Sequence, residues 1–304
     1  MATKTTYHGG RAILAIVLLI LVGAGLAAWG SYLLHAATAG DKSVLPADDV
    51  LPMLLVIAGA LVGVGGAILV VLLYSGARIR ISQVPHHGQA LLIGLGWGVV
   101  ATVLALLIET ASKHLPGFWG TSTGTLALAG PIEEAMKLLF PVLLLAFGSR
   151  FRDPKLGFWM VMAAGAMLGL LEGLGYVIHD VLQFLKPEVS AGLHAVVGAV
   201  GTVNRAIIEP LHPIVTAGAA AMIWLAATKY SRGKAIGMGI AAYVGAAALH
   251  SFNDAVIAAE LGKVNTYLSL VAAAIFIVLV YAFWLRPQYS RLEVPSPVGA
   301  PVSS

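Results

Sequence analysis

Eight apolar runs of about 17 to 25 residues follow one another along this chain, and a run of that length spans the hydrocarbon core of a bilayer as a helix. They are read at residues 12–34, 51–74, 90–108, 125–147, 157–179, 210–228, 235–257 and 266–285. Only 11% of the 304 residues are charged, against about 25% in soluble domains, too few to coat a soluble globule. A hydrophobic share of 59% excludes intrinsic disorder. The runs are continuous rather than alternating over about ten positions, which excludes an outer-membrane barrel. The predicted fold class is therefore all-α, a polytopic membrane protein of about eight transmembrane helices. The 35 glycines suit close helix packing in lipid. With no cysteine, disulfides, thiolate metal sites and cysteine nucleophiles are excluded.

The positive charges orient the chain. Alternate connections carry two or three Lys/Arg each: Lys4 with Arg11, Arg78 with Arg80, Arg150 with Arg152 and Lys155, Lys229 with Arg232 and Lys234, Arg286 with Arg291. The other connections carry one each, at Lys42, Lys113, Lys186 and Lys263. Twelve against four predicts that both termini are cytoplasmic; the membrane is expected to be a bacterial-type cytoplasmic one. The basic residues form no single patch, so nothing points to nucleic acid. Ala37-Thr38-Ala39 resembles a signal-peptidase site, but the apolar run before it exceeds a signal h-region of about 7–15 residues, so an uncleaved first span is expected. Residues 189–208 contain His194, Asn204 and Arg205 and are read as a re-entrant or surface helix on the outer side. Residues 1–286 form one transmembrane domain, with 287–304 a disordered cytoplasmic tail.

Charges inside such runs cost about 2.5–3.5 kcal/mol each and mark function by default. The fourth span holds Glu133, Glu134 and Lys137, with Lys137 able to face either carboxylate at i,i+4 or i,i+3. Pro131 frees a carbonyl one turn upstream. The fifth span holds Glu172, beside a face of Gly165, Gly169 and Gly173 that lets a neighbouring backbone approach. His212 opens the sixth span between Pro210 and Pro213. The seventh holds His250 and Asp254 one turn apart, so the carboxylate can orient the imidazole. At the helical rise, Glu133 lies roughly 12 Å, and Glu172 and His250 roughly 10 Å, below the outer ends of their spans, with His212 near its own outer end. Polar groups on four helices at one level read as one site. Glu109, Lys113 and His114 are read as solvated at an interface, and Arg205 as pairing with Glu209 or reaching the site.

Two histidines and several carboxylates suit activation of water. His212, His250 and Glu172 can form a two-histidine, one-carboxylate zinc site, with a glutamate of the fourth span taking the proton. In a metal-free route a glutamate is the general base and the histidines donate to the developing oxyanion. Two other classes compete. A non-catalytic scaffold or chaperone would keep the cluster only to hold helices together. A proton-coupled transporter would use it as a relay, but no internal repeat supports that architecture.

The run Pro131 to Lys137 resembles the EExxK motif of PrsW-type intramembrane proteases. Glu172 with Tyr176, His212-Pro213 with Thr216, and His250 with Asn253 and Asp254 are similar to that family's second, third and fourth motifs, in order, over residues 130–257. The resemblance implies cleavage of membrane-protein substrates, single-span ones first, within or near the outer half of the bilayer. It implies Glu133 as the base, Glu134 paired with Lys137, and Glu172, His212 and His250 completing the site, with Tyr176, Thr216, Asn253 and Asp254 in support. One position departs from the family: Gly173 stands where an asparagine is common.

Overall fold

The computed structural model describes residues 9–38, 50–184 and 189–293. These are 92% helical and contain no strand. Nine helices carry the architecture: α1 (Gly9–Thr38), α2 (Val50–Arg78), α3 (His87–Ser112), α4 (Ser122–Phe147), α5 (Pro154–Gln183), α6 (Ala191–Ile208), α7 (Leu211–Lys229), α8 (Arg232–Val264) and α9 (Thr266–Glu293). Among the described residues, seven helical stretches are long and apolar enough to cross a membrane, with α6 and α7 counted as one. Helix α4 has the length, 26 residues, but carries Glu133, Glu134 and Lys137 at its middle. The polytopic helical fold read from the sequence is borne out. Of the residues used to orient it, Lys4, Lys42 and Lys186 lie outside the described segments, as does Ala39 of the Ala37–Ala39 tripeptide.

Helix starts follow local chemistry. The Thr121 hydroxyl accepts from Gly124 N, Asp153 from Lys155 N ahead of Pro154, Ser190 from Leu193 N and Asn265 from Leu268 N. Helices α5 and α7 are apolar nearly all round and form the centre of the bundle. Phe158, Met160, Val161 and Met162 of α5 pack with Val215, Ala219 and Trp224 of α7, all fully buried. Outer helices leave long apolar side chains uncovered, among them Leu14, Leu18 and Leu21 of α1 and Val271, Ile275 and Val278 of α9. That surface suits lipid.

Contacts fix the level of each helix. At one end, Leu34, Val56 and Val181 cluster, and His194 bridges Ser31 O and Val181 O at 2.6 and 2.7 Å. At the other end, Trp224 Nε1 donates to Phe151 O at 2.8 Å, and Ser75 Oγ meets Tyr289 OH at 2.8 Å.

The expectation for residues 189–208 is corrected. Helix α6 is neither a surface nor a re-entrant helix: with α7 it makes one apolar stretch, Ala191–Lys229, long enough to cross a membrane. It starts beside Val181 and ends beside Gly173, where a Cβ would lie 2.7 Å from Glu209 Cγ. Fifteen residues of α6 thus pass eight of α5, roughly 22 Å of helix against roughly 12 Å, so α6 crosses α5 obliquely. Helix α7 then completes the crossing to the Trp224 end. Of the polar residues that made this segment look superficial, His194 is fully covered, while Asn204 and Arg205 are half-buried. The break at Glu209-Pro210 has a backbone cause. Pro210 and Pro213 have no N–H, so the ladder is interrupted there, and Glu209 O accepts instead from His212 N at 3.2 Å.

The expected tail is also corrected at its start. Helix α9 runs on to Glu293, because Tyr289 and Leu292 bury against the core, with the Tyr289 ring edge-on to Phe158 at 6.1 Å. Residues 294–304 lie outside the described segments.

Candidate functional site

Four helices bring their polar residues to one buried point. Helix α4 supplies Glu133, Glu134 and Lys137, all within three residues of its centre. Pro131 leaves Ala127 O without its helical donor, and Ser251 Oγ of α8 donates to it at 2.7 Å. The freed carbonyl anticipated from the sequence is thus what ties α4 to α8. Helix α5 supplies Glu172, and its glycine face admits the start of α7: a Cβ at Gly169 would lie 2.8 Å from His212 Cδ2. His212 follows the broken α6–α7 junction. It is therefore deep in the bundle, correcting its expected place near the outer end of a span. Helix α8 supplies His250 at the last α-turn before a π-helical stretch, Phe252–Leu261. Such stretches recur at functional sites because the widened turn re-aims side chains.

Lys137 Nζ lies 2.8 Å from Glu134 Oε1, 3.1 Å from Glu133 Oε2 and 2.9 Å from His212 Nδ1. It faces both carboxylates rather than one. Glu134 Oε1 also receives His250 Nδ1 at 3.0 Å. Glu133 Oε2 lies 3.3 Å from His212 Nδ1 and 3.9 Å from His250 Nε2. On the far side of the imidazole, His212 Nε2 lies 3.2 Å from Glu172 Oε2 and 2.9 Å from Glu209 Oε2. His250 Nε2 lies 3.2 Å from Asp254 Oδ2, the orienting contact expected from their spacing. The two imidazoles meet edge to face, with centroids 4.8 Å apart.

The supporting residues divide. Asn253 donates from Nδ2 to Asp254 Oδ1 at 2.9 Å. Thr216 donates to His212 O at 2.8 Å, so it steadies the helix rather than the ring. Tyr176 lies under the Arg205 guanidinium, 3.5 Å from Cζ to ring centroid. Arg205 does both things open to it, stacking on Tyr176 and pairing with Glu209 Oε1 at 3.2 Å.

Glu133, Glu134, Lys137, Glu209, His212 and His250 are all buried, while Glu172 and Asp254 keep 26% and 18% of their side chains exposed. The cluster therefore opens past Glu172 and Asp254. Five carboxylates face two permanent cations, Lys137 and Arg205. Glu133, Glu134, Glu172 and Glu209 each keep a buried Oε2 that accepts no hydrogen bond within the protein. Uncompensated buried negative charge is costly, so the donor set suits a further proton or a divalent cation. The residues able to hold a metal fall into two groups sharing His212: Glu133, His212 and His250, and Glu172, Glu209 and His212. The trio proposed from the sequence, His212, His250 and Glu172, is divided between them.

Sequence reasoning missed two carboxylates. Glu209 was placed at a span boundary, where charges are ordinary; its Glu-x-x-His spacing to His212 was the available signal. Glu109 is corrected from solvated to half-buried, with Oε1 enclosed and its carboxyl in the field of Glu133 and Glu172. Lys113 and His114 are exposed as expected.

The family model described as PrsW family intramembrane metalloprotease matches residues 86–283, well over half of the chain and all of this cluster. No curated protein and no solved structure matches the chain. The resemblance read from the four motifs is borne out: the protein belongs to the PrsW family of intramembrane metalloproteases, membrane-embedded hydrolases.

Proposed function

We propose that this chain hydrolyses peptide bonds of membrane-protein substrates, single-span proteins first among them, with Glu133 as general base. The observation that carries the assignment is the contrast between the adjacent glutamates. Glu134 is fixed through one oxygen by Lys137 at 2.8 Å and His250 at 3.0 Å. Glu133 Oε2 is buried, accepts no hydrogen bond, and has only the longer Lys137 ion pair at 3.1 Å, with the ring nitrogens of both histidines at 3.3 and 3.9 Å. A carboxylate oxygen so placed is ready to take a proton from water.

In this mechanism water enters past Glu172 and Asp254, and Glu133 removes its proton as the oxygen adds to the scissile carbonyl carbon. Lys137 supplies the positive charge that stabilises the oxyanion in a site of low dielectric, where such a charge acts most strongly. Glu133 then returns the proton to the leaving nitrogen as the C–N bond breaks. Asp254 and Glu134 hold His250 from its two ring nitrogens. A zinc ion, when held by His212 and its carboxylates, supplies Lewis-acid polarisation of the water or the carbonyl.

Glu133, Glu172 and His250 all lie nearer the Ser122, Gln183 and Val264 ends of their helices than the opposite ends. With the termini cytoplasmic, as the Lys/Arg asymmetry implies, this supports a site in the outer half of a bacterial-type cytoplasmic membrane. Family membership favours a hydrolase over a scaffold or a transporter. The test is cleavage of a tagged panel of single-span proteins in proteoliposomes, with products mapped by mass spectrometry. Cuts within or just outside the outer half of the span are expected, and are lost in His250→Ala. Cuts confined to the cytoplasmic side would overturn the placement, and retained cleavage in well-folded His250→Ala would overturn the site.

A further inference from the structure

We propose that Glu209, together with Glu172 and His212 Nε2, forms a divalent-cation site on the side of His212 that faces away from Lys137. The proposal rests on the hydrolase reading of the same cluster and adds a residue that none of its four motifs contains.

Three observations support it. First, the two groups that share His212 differ in charge. Between Glu133, His212 and His250 the Lys137 ammonium already stands, 3.1 Å from Glu133 Oε2 and 2.9 Å from His212 Nδ1. A second cation there meets like charge at contact distance. Around Glu172, Glu209 and His212 Nε2, the remaining cation is Arg205, and it engages the other oxygen of Glu209, Oε1, at 3.2 Å.

Second, the ligand atoms on this side converge, both carboxylate oxygens standing at ion-pair distance from His212 Nε2. Glu209 is fully buried, yet its Oε2 lies 2.9 Å from His212 Nε2 and accepts no hydrogen bond. Glu172 Oε2 lies 3.2 Å from the same nitrogen and accepts none either. Zinc bonds of about 2.0–2.2 Å to nitrogen and carboxylate oxygen put neighbouring ligand atoms of a tetrahedron about 3.3–3.6 Å apart. His212 Nε2 stands 2.9 and 3.2 Å from the two carboxylate oxygens, slightly inside that spacing, and all three atoms lie within 4.8 Å of one another.

Third, the backbone makes room for Glu209 specifically. A Cβ at Gly173 would fall 2.7 Å from Glu209 Cγ and 2.8 Å from Val64 Cγ1. The glutamate stem thus fills the volume that a side chain on α5 would take. Arg205, braced on Tyr176 at 3.5 Å, fixes Oε1 and leaves Oε2 aimed at His212.

The experiment is zinc titration of the full-length protein in detergent by calorimetry, with helicity and elution checked for each variant. Wild type should bind one zinc ion. Glu209→Gln, which keeps the shape and removes the charge, should weaken binding at least about tenfold. His250→Ala, which alters only the other group, should leave the affinity within about threefold. If Glu209→Gln does not fold, Glu209→Asp decides, because a stem one methylene shorter withdraws the oxygen and should also cost at least about tenfold. Unchanged affinity in the folded Glu209 variant, comparable loss in His250→Ala, or no zinc binding by wild type each overturns the site. Cleavage is measured in parallel. Cleavage without zinc binding sinks the cation site and leaves the hydrolase reading intact, whereas Glu209-dependent binding without cleavage does the reverse.

Discussion

Lys137 holds three partners at once, and its removal shows what a buried charge network costs. Lys137→Met keeps the stem but strands Glu133 and Glu134 without their ammonium, and breaking such a pair destabilises by about 3–5 kcal/mol. Thermal unfolding in detergent should show a markedly lower midpoint, and an unchanged midpoint would mean that protons already neutralise the pair. Gly169→Ala tests the opposite kind of constraint. Its new methyl meets His212 Cδ2 at 2.8 Å and Glu209 O at 2.9 Å, an overpacking worth about 1–3 kcal/mol. Activity should fall further than stability does, since the displaced group is His212 itself. At this scale the sequence was informative where charge broke an apolar run: Glu133, Glu134, Lys137, Glu172 and His250 each stood out against lipid. Glu209 did not, because a charge at a helix boundary needs no explanation until the boundary proves to lie mid-bundle.

Helix α6 is an element that apolar length alone misreads. Its His194 bridges the carbonyls of Ser31 and Val181 from two ring nitrogens and so fastens α6 to α1 and α5. Replacing it with alanine removes the ring from between the two carbonyls, at a cost of about 1–3 kcal/mol for a buried group left unsatisfied. Hydrogen exchange across 191–208 should quicken in His194→Ala while α8 keeps its protection. Equal quickening in both would show that the bundle opens only as a whole. The π-helical stretch of α8 was equally hidden, since Phe252–Leu261 has an ordinary helical composition. What the sequence did convey about elements was where apolar length begins and ends. Seven of its eight predicted spans fall inside single observed helices, because hydrocarbon thickness sets their length.

Across the whole molecule, the absence of native cysteine makes topology directly testable. Thr121→Cys, at the start of α4, should react with an impermeant thiol reagent added to intact cells. Ser149→Cys, between α4 and α5, should react only after permeabilisation. The reverse pattern would move the site to the cytoplasmic half of the bilayer. The central claim, that Glu133 is the base of a membrane-embedded peptidase, is tested most directly by single-turnover cleavage in proteoliposomes, comparing wild type with Glu133→Gln. The amide keeps the volume of the side chain but cannot accept the proton. General-base catalysis contributes about 10²–10⁴-fold, so cleavage should drop by at least about a hundredfold with helicity and thermal midpoint preserved. Cleavage by a folded Glu133→Gln protein at the wild-type rate would contradict the account.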